Sequence, residues 1–120
     1  MLKKILIVDD EPGILEMTKH ILEKYLVGFE VEACTALNVP AALAILEENG
    51  GRFDLIITDY RMPGQTGMDL VREVTRRWPA IQMLISSGHV DDPELRTCSI
   101  PKVEKPTGMV EFVAKVRGLL

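Results

Sequence analysis

Cysteine is scarce here: Cys34 and Cys98 are the only two in 120 residues. They are isolated, with neither metal-ligand spacing nor a framework of pairs. They read as buried or half-buried thiols in a reducing compartment, which excludes a disulfide scaffold. An excess of positive charge is also missing. Fourteen Lys and Arg against eighteen Asp and Glu leave a formal net charge of -4. The chain as a whole therefore lacks the basic face that direct nucleic-acid binding requires. Arg72, Arg76 and Arg77 lie close together in sequence and read as a solvated helix face. Long apolar runs are absent too. After Met1-Leu2-Lys3-Lys4 only four apolar residues precede Asp9, too few for a signal peptide or a membrane span. No repeat, low-complexity tract or linker divides the chain. The expectation is one cytoplasmic domain over residues 1–120, with no membrane association.

What is present is alternation. Ile5-Leu6-Ile7-Val8 reads as a strand. Ile14, Met17, Ile21 and Tyr25 follow at helical spacing. Phe29, Val31 and Ala33 alternate with Glu30 and Glu32, a period of two. Asn38 is a natural N-cap, with Pro40 in the first turn, Leu43 and Leu46 on one face, and Gly50-Gly51 as the stop. Leu55-Ile56-Ile57 is a third strand. Leu70, Val71, Val74 and Trp78 mark a third helix ended by Pro79. Ile81 to Ile85 is a fourth strand, and Pro93 to Cys98 a short or irregular fourth helix. Ile100 to Val103 is a poor fifth strand. Met109, Phe112, Val113, Val116 and Leu120 form the last helical stripe.

Strands alternating with helices imply right-handed crossovers and a parallel sheet covered on both faces, a three-layer α/β sandwich. Strands one, three and four are continuously apolar, as central strands should be. Strand two alternates, and Pro101 within strand five belongs on an edge. The order 2-1-3-4-5 fits, the pattern of flavodoxin-like folds. Ligands of such sheets bind where the winding reverses, beyond the carboxyl ends of strands one and three. Those ends carry Asp9, Asp10 and Asp59. Any one of these aspartates is equally at home as a loop start or helix N-cap. Three carboxylates meeting at one sheet edge, however, repel each other. A hard divalent cation resolves the repulsion. Oxygen ligands, few in number, favour Mg2+, which often pairs with phosphate. Ser87 closes the fourth strand before Gly88, and its hydroxyl could donate to a phosphoryl oxygen. Lys105 follows the fifth strand and could pair with Asp59 or with phosphoryl oxygens.

These residues carry a resemblance. Ile7-Val8-Asp9-Asp10-Glu11-Pro12, Asp59-Tyr60-Arg61-Met62-Pro63-Gly64-Gln65-Thr66-Gly67, Ser87-Gly88 and Lys105-Pro106 occur in the order found in receiver domains of bacterial two-component response regulators, the CheY-like family. The similarity covers essentially the whole chain. It implies that Asp59 is the phosphoacceptor. It implies that Asp10 and Asp59 bind Mg2+ through side chains, Arg61 through its backbone carbonyl and Asp9 through water. Ser87 would contact the phosphoryl group, Lys105 would pair with it, and the Lys105–Pro106 peptide would be cis. The donor would be a histidine kinase or histidine phosphotransfer protein, docking near the first helix at Ile14, Leu15 and Thr18; core packing is the competing reading of these residues and the favoured one for Ile14. A downstream output domain or protein would read the result.

The implied chemistry is physically consistent. A carboxylate is a weak nucleophile, so positioning and charge neutralisation must carry the transfer. The aspartyl phosphate adds roughly two negative charges. New bonds to Ser87 and Lys105 would then bias a conformational equilibrium. The chain would be a phosphoacceptor that promotes its own phosphorylation and dephosphorylation, not a turnover enzyme. A phosphatase with an aspartate nucleophile would need a second carboxylate two residues on, where Arg61 stands. A flavin carrier on this fold would need a hydroxyl- and glycine-rich loop, where Asp9-Asp10-Glu11-Pro12 would repel phosphate. A receiver that no longer uses phosphorylation would be a binding module.

Three departures from the family pattern stand out. Lys102 occupies the position, three before the lysine, where many receivers carry an aromatic switch residue. Ser87 and Lys105 are 18 residues apart, several fewer than usual, which shortens the fourth helix and alters the output face. Arg61 and His89 stand two residues beyond Asp59 and Ser87, positions that tune phosphoryl lifetime in the family.

Overall fold

The computed structural model describes residues 2–88, 92–105 and 108–120. Five strands and five helices alternate along them: β1 (Leu2–Val8), α1 (Pro12–Tyr25), β2 (Glu30–Ala36), α2 (Val39–Glu48), β3 (Leu55–Thr58), α3 (Gly67–Arg77), β4 (Gln82–Ser87), α4 (Pro93–Thr97), β5 (Lys102–Glu104) and α5 (Met109–Leu119). All four strand pairings are parallel, in the order β2-β1-β3-β4-β5. The expected doubly wound architecture is thus present.

The period of two sorts the central strands between two cores. Leu6, Val8, Ile56 and Ile85 face one side, where they meet Leu46 of α2, Leu70 and Val74 of α3, and Leu95 of α4. Ile5, Ile7, Ile57 and Leu84 face the other, against Leu15 and Leu22 of α1 and Phe112 and Val116 of α5. Continuously apolar strands are what burial on both faces demands.

Local signals place the ends of α2. The Asn38 side chain accepts the Ala41 amide at 2.8 Å. Gly50 and Gly51 adopt φ of 63° and 70°, left-handed values that end the helix without a Cβ penalty. At the far edge the sequence reading needs correction. Pro101 is not within β5 but just before it, and its carbonyl accepts the Ile85 amide at 3.0 Å. Proline keeps a usable acceptor but has no N–H for a ladder, so the strand starts at Lys102. The fourth helix is a single turn and a half of five residues, short as expected. Among the described residues, no helix is long and apolar enough to cross a membrane.

Candidate phosphoryl and metal site

The register of the central strands builds the site. Val8 pairs with Thr58 at the ends of β1 and β3, so the next residues, Asp9 and Asp59, emerge side by side. The Asp59 amide donates to the Val8 carbonyl at 2.9 Å, and the Asp9 amide to the Ala36 carbonyl at 3.1 Å. Asp9, Asp10 and Asp59 each offer a carboxylate oxygen within 4.8 Å of the others. Asp9 is buried, Asp59 half-buried and Asp10 exposed.

Lys105 reaches the same place from the end of β5, where its amide donates to the Ser87 carbonyl at 2.8 Å. Its ammonium donates to Asp9 Oδ2 at 2.7 Å and stands 3.6 Å from Asp59 Oδ2. The closer partner is therefore Asp9, whereas sequence reasoning paired the lysine with Asp59. The second oxygen of each acid faces its own chain. Asp9 Oδ1 accepts the Glu11 amide at 3.0 Å, and Asp59 Oδ1 accepts the Tyr60 amide at 2.8 Å.

Burial raises the Asp59 carboxyl above the usual range; Lys105 opposes this, Asp9 adds to it, the Tyr60 amide opposes it and Asp10 adds to it. Burial works against the charge on Lys105, but its bond to Asp9 and the nearby Asp59 outweigh that and raise its value. Among the described residues the site is thus short of positive charge: the Lys105 ammonium pairs with Asp9 and Asp59, and Asp10 adds a third carboxylate. Its donors are all oxygens, which suits a small hard cation such as Mg2+. Asp9, Asp10 and Asp59 would hold the ion, which would supply charge neutralisation.

Ser87 is fully buried at the last position of β4. Ser86, its neighbour on the opposite face of the strand, lines a cavity of about 590 Å³ between α1, α5 and the sheet. Asp9, Asp59 and Lys105 line the same cavity, and Ile14, Met17, Ile21, Met109 and Phe112 give it apolar walls. The positions noted at His89 and Pro106 lie outside the described residues.

Two residues gain a role that sequence reasoning did not assign. Gly67 opens α3 directly against the Asp59–Tyr60 segment. Its amide donates to the Tyr60 carbonyl at 2.6 Å, and a Cβ there would collide with the Asp59 carbonyl oxygen. Tyr60 is buried, and its hydroxyl reaches Glu94 and Asp92 at the start of α4. A family-like run such as Asp59–Gly67 marks a segment but not which of its members touch a distant helix.

Comparison with known proteins agrees with this geometry. The family profile of the response regulator receiver domain matches residues 5–117. The response regulator protein PilR of Pseudomonas aeruginosa is 37% identical over 91 residues, which are 74% of this chain and 19% of PilR. Among solved structures, a response regulator receiver domain protein from Clostridium thermocellum superposes with a TM-score of 0.81 at 32% identity, covering 98% of this chain and 93% of that one. The response regulator protein TrrA from Thermotoga maritima, in complex with Mg(2+)-BeF, gives 0.79 at 31%, covering 98% and 99%. The chain spans about a fifth of the length of the first curated relatives it matches.

Proposed function

This chain belongs to the family of response regulator receiver domains, phosphoryl-accepting modules of two-component signalling, and we propose that Asp59 is its phosphoacceptor. The observation that carries this is the meeting of three carboxylates within 4.8 Å, with the Lys105 ammonium 3.6 Å from Asp59 Oδ2. Asp59 Oδ2, the oxygen facing Lys105, is the one placed for attack, since Oδ1 is engaged by the Tyr60 amide. In the transfer an O–P bond forms at Asp59. The donor's bond to phosphorus breaks, and the donor atom keeps the electron pair. Lys105 neutralises phosphoryl oxygens as charge develops, at a half-buried site where such an interaction counts for more than in water. Mg2+ would supply the remaining positive charge; the Asp10 and Asp59 side chains, the Arg61 carbonyl and, through water, Asp9 are the groups that would hold it. Ser87 contacts the transferred group. That the similar protein TrrA is in complex with Mg(2+)-BeF supports Mg2+ as the ion.

The donor is a histidine kinase or a histidine phosphotransfer protein. The apolar cavity between α1 and α5, continuous with the acidic site, supports docking there through Ile14, Met17 and Thr18. The chain works as a cytoplasmic unit over residues 1–120, promoting only its own phosphorylation and dephosphorylation and passing its state to an output domain or protein.

Incubation with Mg2+ and acetyl phosphate, followed by intact mass, tests this reading. One phosphoryl adduct is expected in the parent and none in Asp59→Asn. An adduct in the variant would move the acceptor elsewhere.

A further inference from the structure

The residue after the candidate acceptor touches two distant things at once. The Tyr60 amide donates to Asp59 Oδ1 at 2.8 Å. Its hydroxyl donates to Glu94 Oε1 at 2.9 Å, with Asp92 Oδ1 a second acceptor at 3.3 Å. The ring between them is only 6% exposed and is locked in the core with Met62, Met68 and Leu95. The next residue, Arg61, pairs with Asp92 at 3.5 Å, and Arg72 of α3 pairs with Glu94. Both acids belong to the start of α4: Asp92 is its N-cap, and Asp92 Oδ1 accepts the Glu94 amide at 3.1 Å.

Among the described residues, α4 has few other anchors. Five residues are far too few for a helix to persist by propensity. Leu95 is its one buried side chain. Beyond its C-terminus the chain is fixed from β5, where the Lys102 ammonium donates to the Cys98 and Ile100 carbonyls, each at 3.1 Å. The contacts at the start of the helix are therefore the ones that link it to the Asp59 segment.

We propose that Tyr60 is a positioning residue that couples the state of the Asp59 carboxylate to the first turn of α4. This rests on the reading of Asp59 as acceptor. Phosphorylation turns an anionic carboxylate into an acyl phosphate, so the oxygen held by the Tyr60 amide loses its charge. A charge-assisted hydrogen bond is roughly twice as strong as a neutral one. Weakening it frees the Tyr60 peptide to move. The ring is stiff and closely packed, so the displacement arrives at its hydroxyl, where Glu94 and Asp92 are held. The first turn of α4 loosens as a result. Coupling of this kind is reciprocal: cutting the tether changes the acceptor as well as the helix.

Hydrogen exchange of the α4 backbone in the whole chain tests the tether, with intact mass read on the same samples. In the parent, Mg2+ with acetyl phosphate should speed α4 exchange by roughly fivefold, the scale of one hydrogen bond. Tyr60→Phe keeps the ring and the amide. It should still carry one adduct, formed at a changed rate, exchange faster in α4 before any phosphate is added, and show no further response. Glu94→Ala should do likewise, and the double variant should be no faster than either single, as members of one contact require. An α4 response that survives in Tyr60→Phe would overturn the proposal, as would an unchanged α4 in a parent that carries the adduct. A parent with no adduct would instead defeat the acceptor assignment. The unphosphorylated Tyr60→Phe comparison would still judge the tether in that case.

Discussion

Lys105 Nζ lies 2.7 Å from Asp9 Oδ2, joining residues 96 apart in the chain at the carboxyl ends of β5 and β1, with β4 and β3 between them in the sheet. Asp9 is 4% exposed, so this ammonium is the cation that makes its burial tolerable. Breaking such a pair strands a charge, which costs more than the pair contributes when intact.

Lys105→Ala should therefore destabilise the chain in metal-free buffer by about 2 kcal/mol, the scale of a hydrogen bond to a charged group. Saturating Mg2+ should recover most of the loss, because the carboxylates then have another source of positive charge. Urea unfolding with chelator and with Mg2+ measures both. An equal loss in the two buffers would mean that Lys105 acts by packing instead of charge.

Mg2+ should itself stabilise the parent. A ligand at one hundred times its Kd adds about 2.7 kcal/mol to a fold that alone binds it. Asp10 is exposed and takes no part in the core, so Asp10→Asn should leave the metal-free Tm close to that of the parent. The upward shift with Mg2+ should shrink or vanish. A full shift in Asp10→Asn would remove this residue from the ligand set.

Tyr60 gives a signature at high pH. Burial first, then the bonds and charges of Glu94 and Asp92, push its hydroxyl from 10.0 up to about 12. Above pH 10 the unfolded chain releases this proton while the folded chain retains it. The folded state thus binds more protons, and stability must fall as pH rises from about 10 to 12. The stabilising contribution is complete below that window. Tyrosinate absorbance of the folded protein should show one of its two tyrosines ionising late, and Tyr60→Phe should abolish that step. A single ordinary transition in the parent would contradict the buried hydroxyl–carboxylate contact.

Gly67→Ala sets helix propensity against space. Alanine is favoured in a helix by about 1 kcal/mol. Here the new Cβ meets the Asp59 backbone carbonyl, and backbone cannot step aside as a flexible side chain can. Overpacking costs typically about 1–3 kcal/mol, so the net effect should be destabilising, with slower adduct formation at Asp59. Parent-like stability and adduct rate would show that the acceptor segment shifts freely.

Much of this was legible because it depends on nearest-neighbour chemistry. Val8 and Thr58 end apolar runs, and the next residues, Asp9 and Asp59, are acids, so the site follows from pairing parallel strands in register. Asn38, Gly50 and Gly51 announce the ends of α2 by the backbone shapes they accept. Contacts that cross the fold without periodicity were not readable. Tyr60 meets Glu94 across 34 residues, and nothing in the spacing of either residue marks the other. The preference of Lys105 for Asp9 depends on ångström-scale differences between two carboxylates that look equivalent in sequence. The start of β5 was placed at Ile100, two residues before Lys102, because Pro101 carries an edge signal whether it lies inside the strand or just outside it.

The brevity of β5 also bears on how copies of this molecule meet. Its outer side offers three residues of backbone, beginning after a proline that has no N–H to give. The opposite border, β2, turns the carboxylates of Glu30 and Glu32 to water. A foreign strand approaching either border finds too short a ladder or too much negative charge to continue the sheet, so crowding should not fuse neighbouring molecules into a shared sheet.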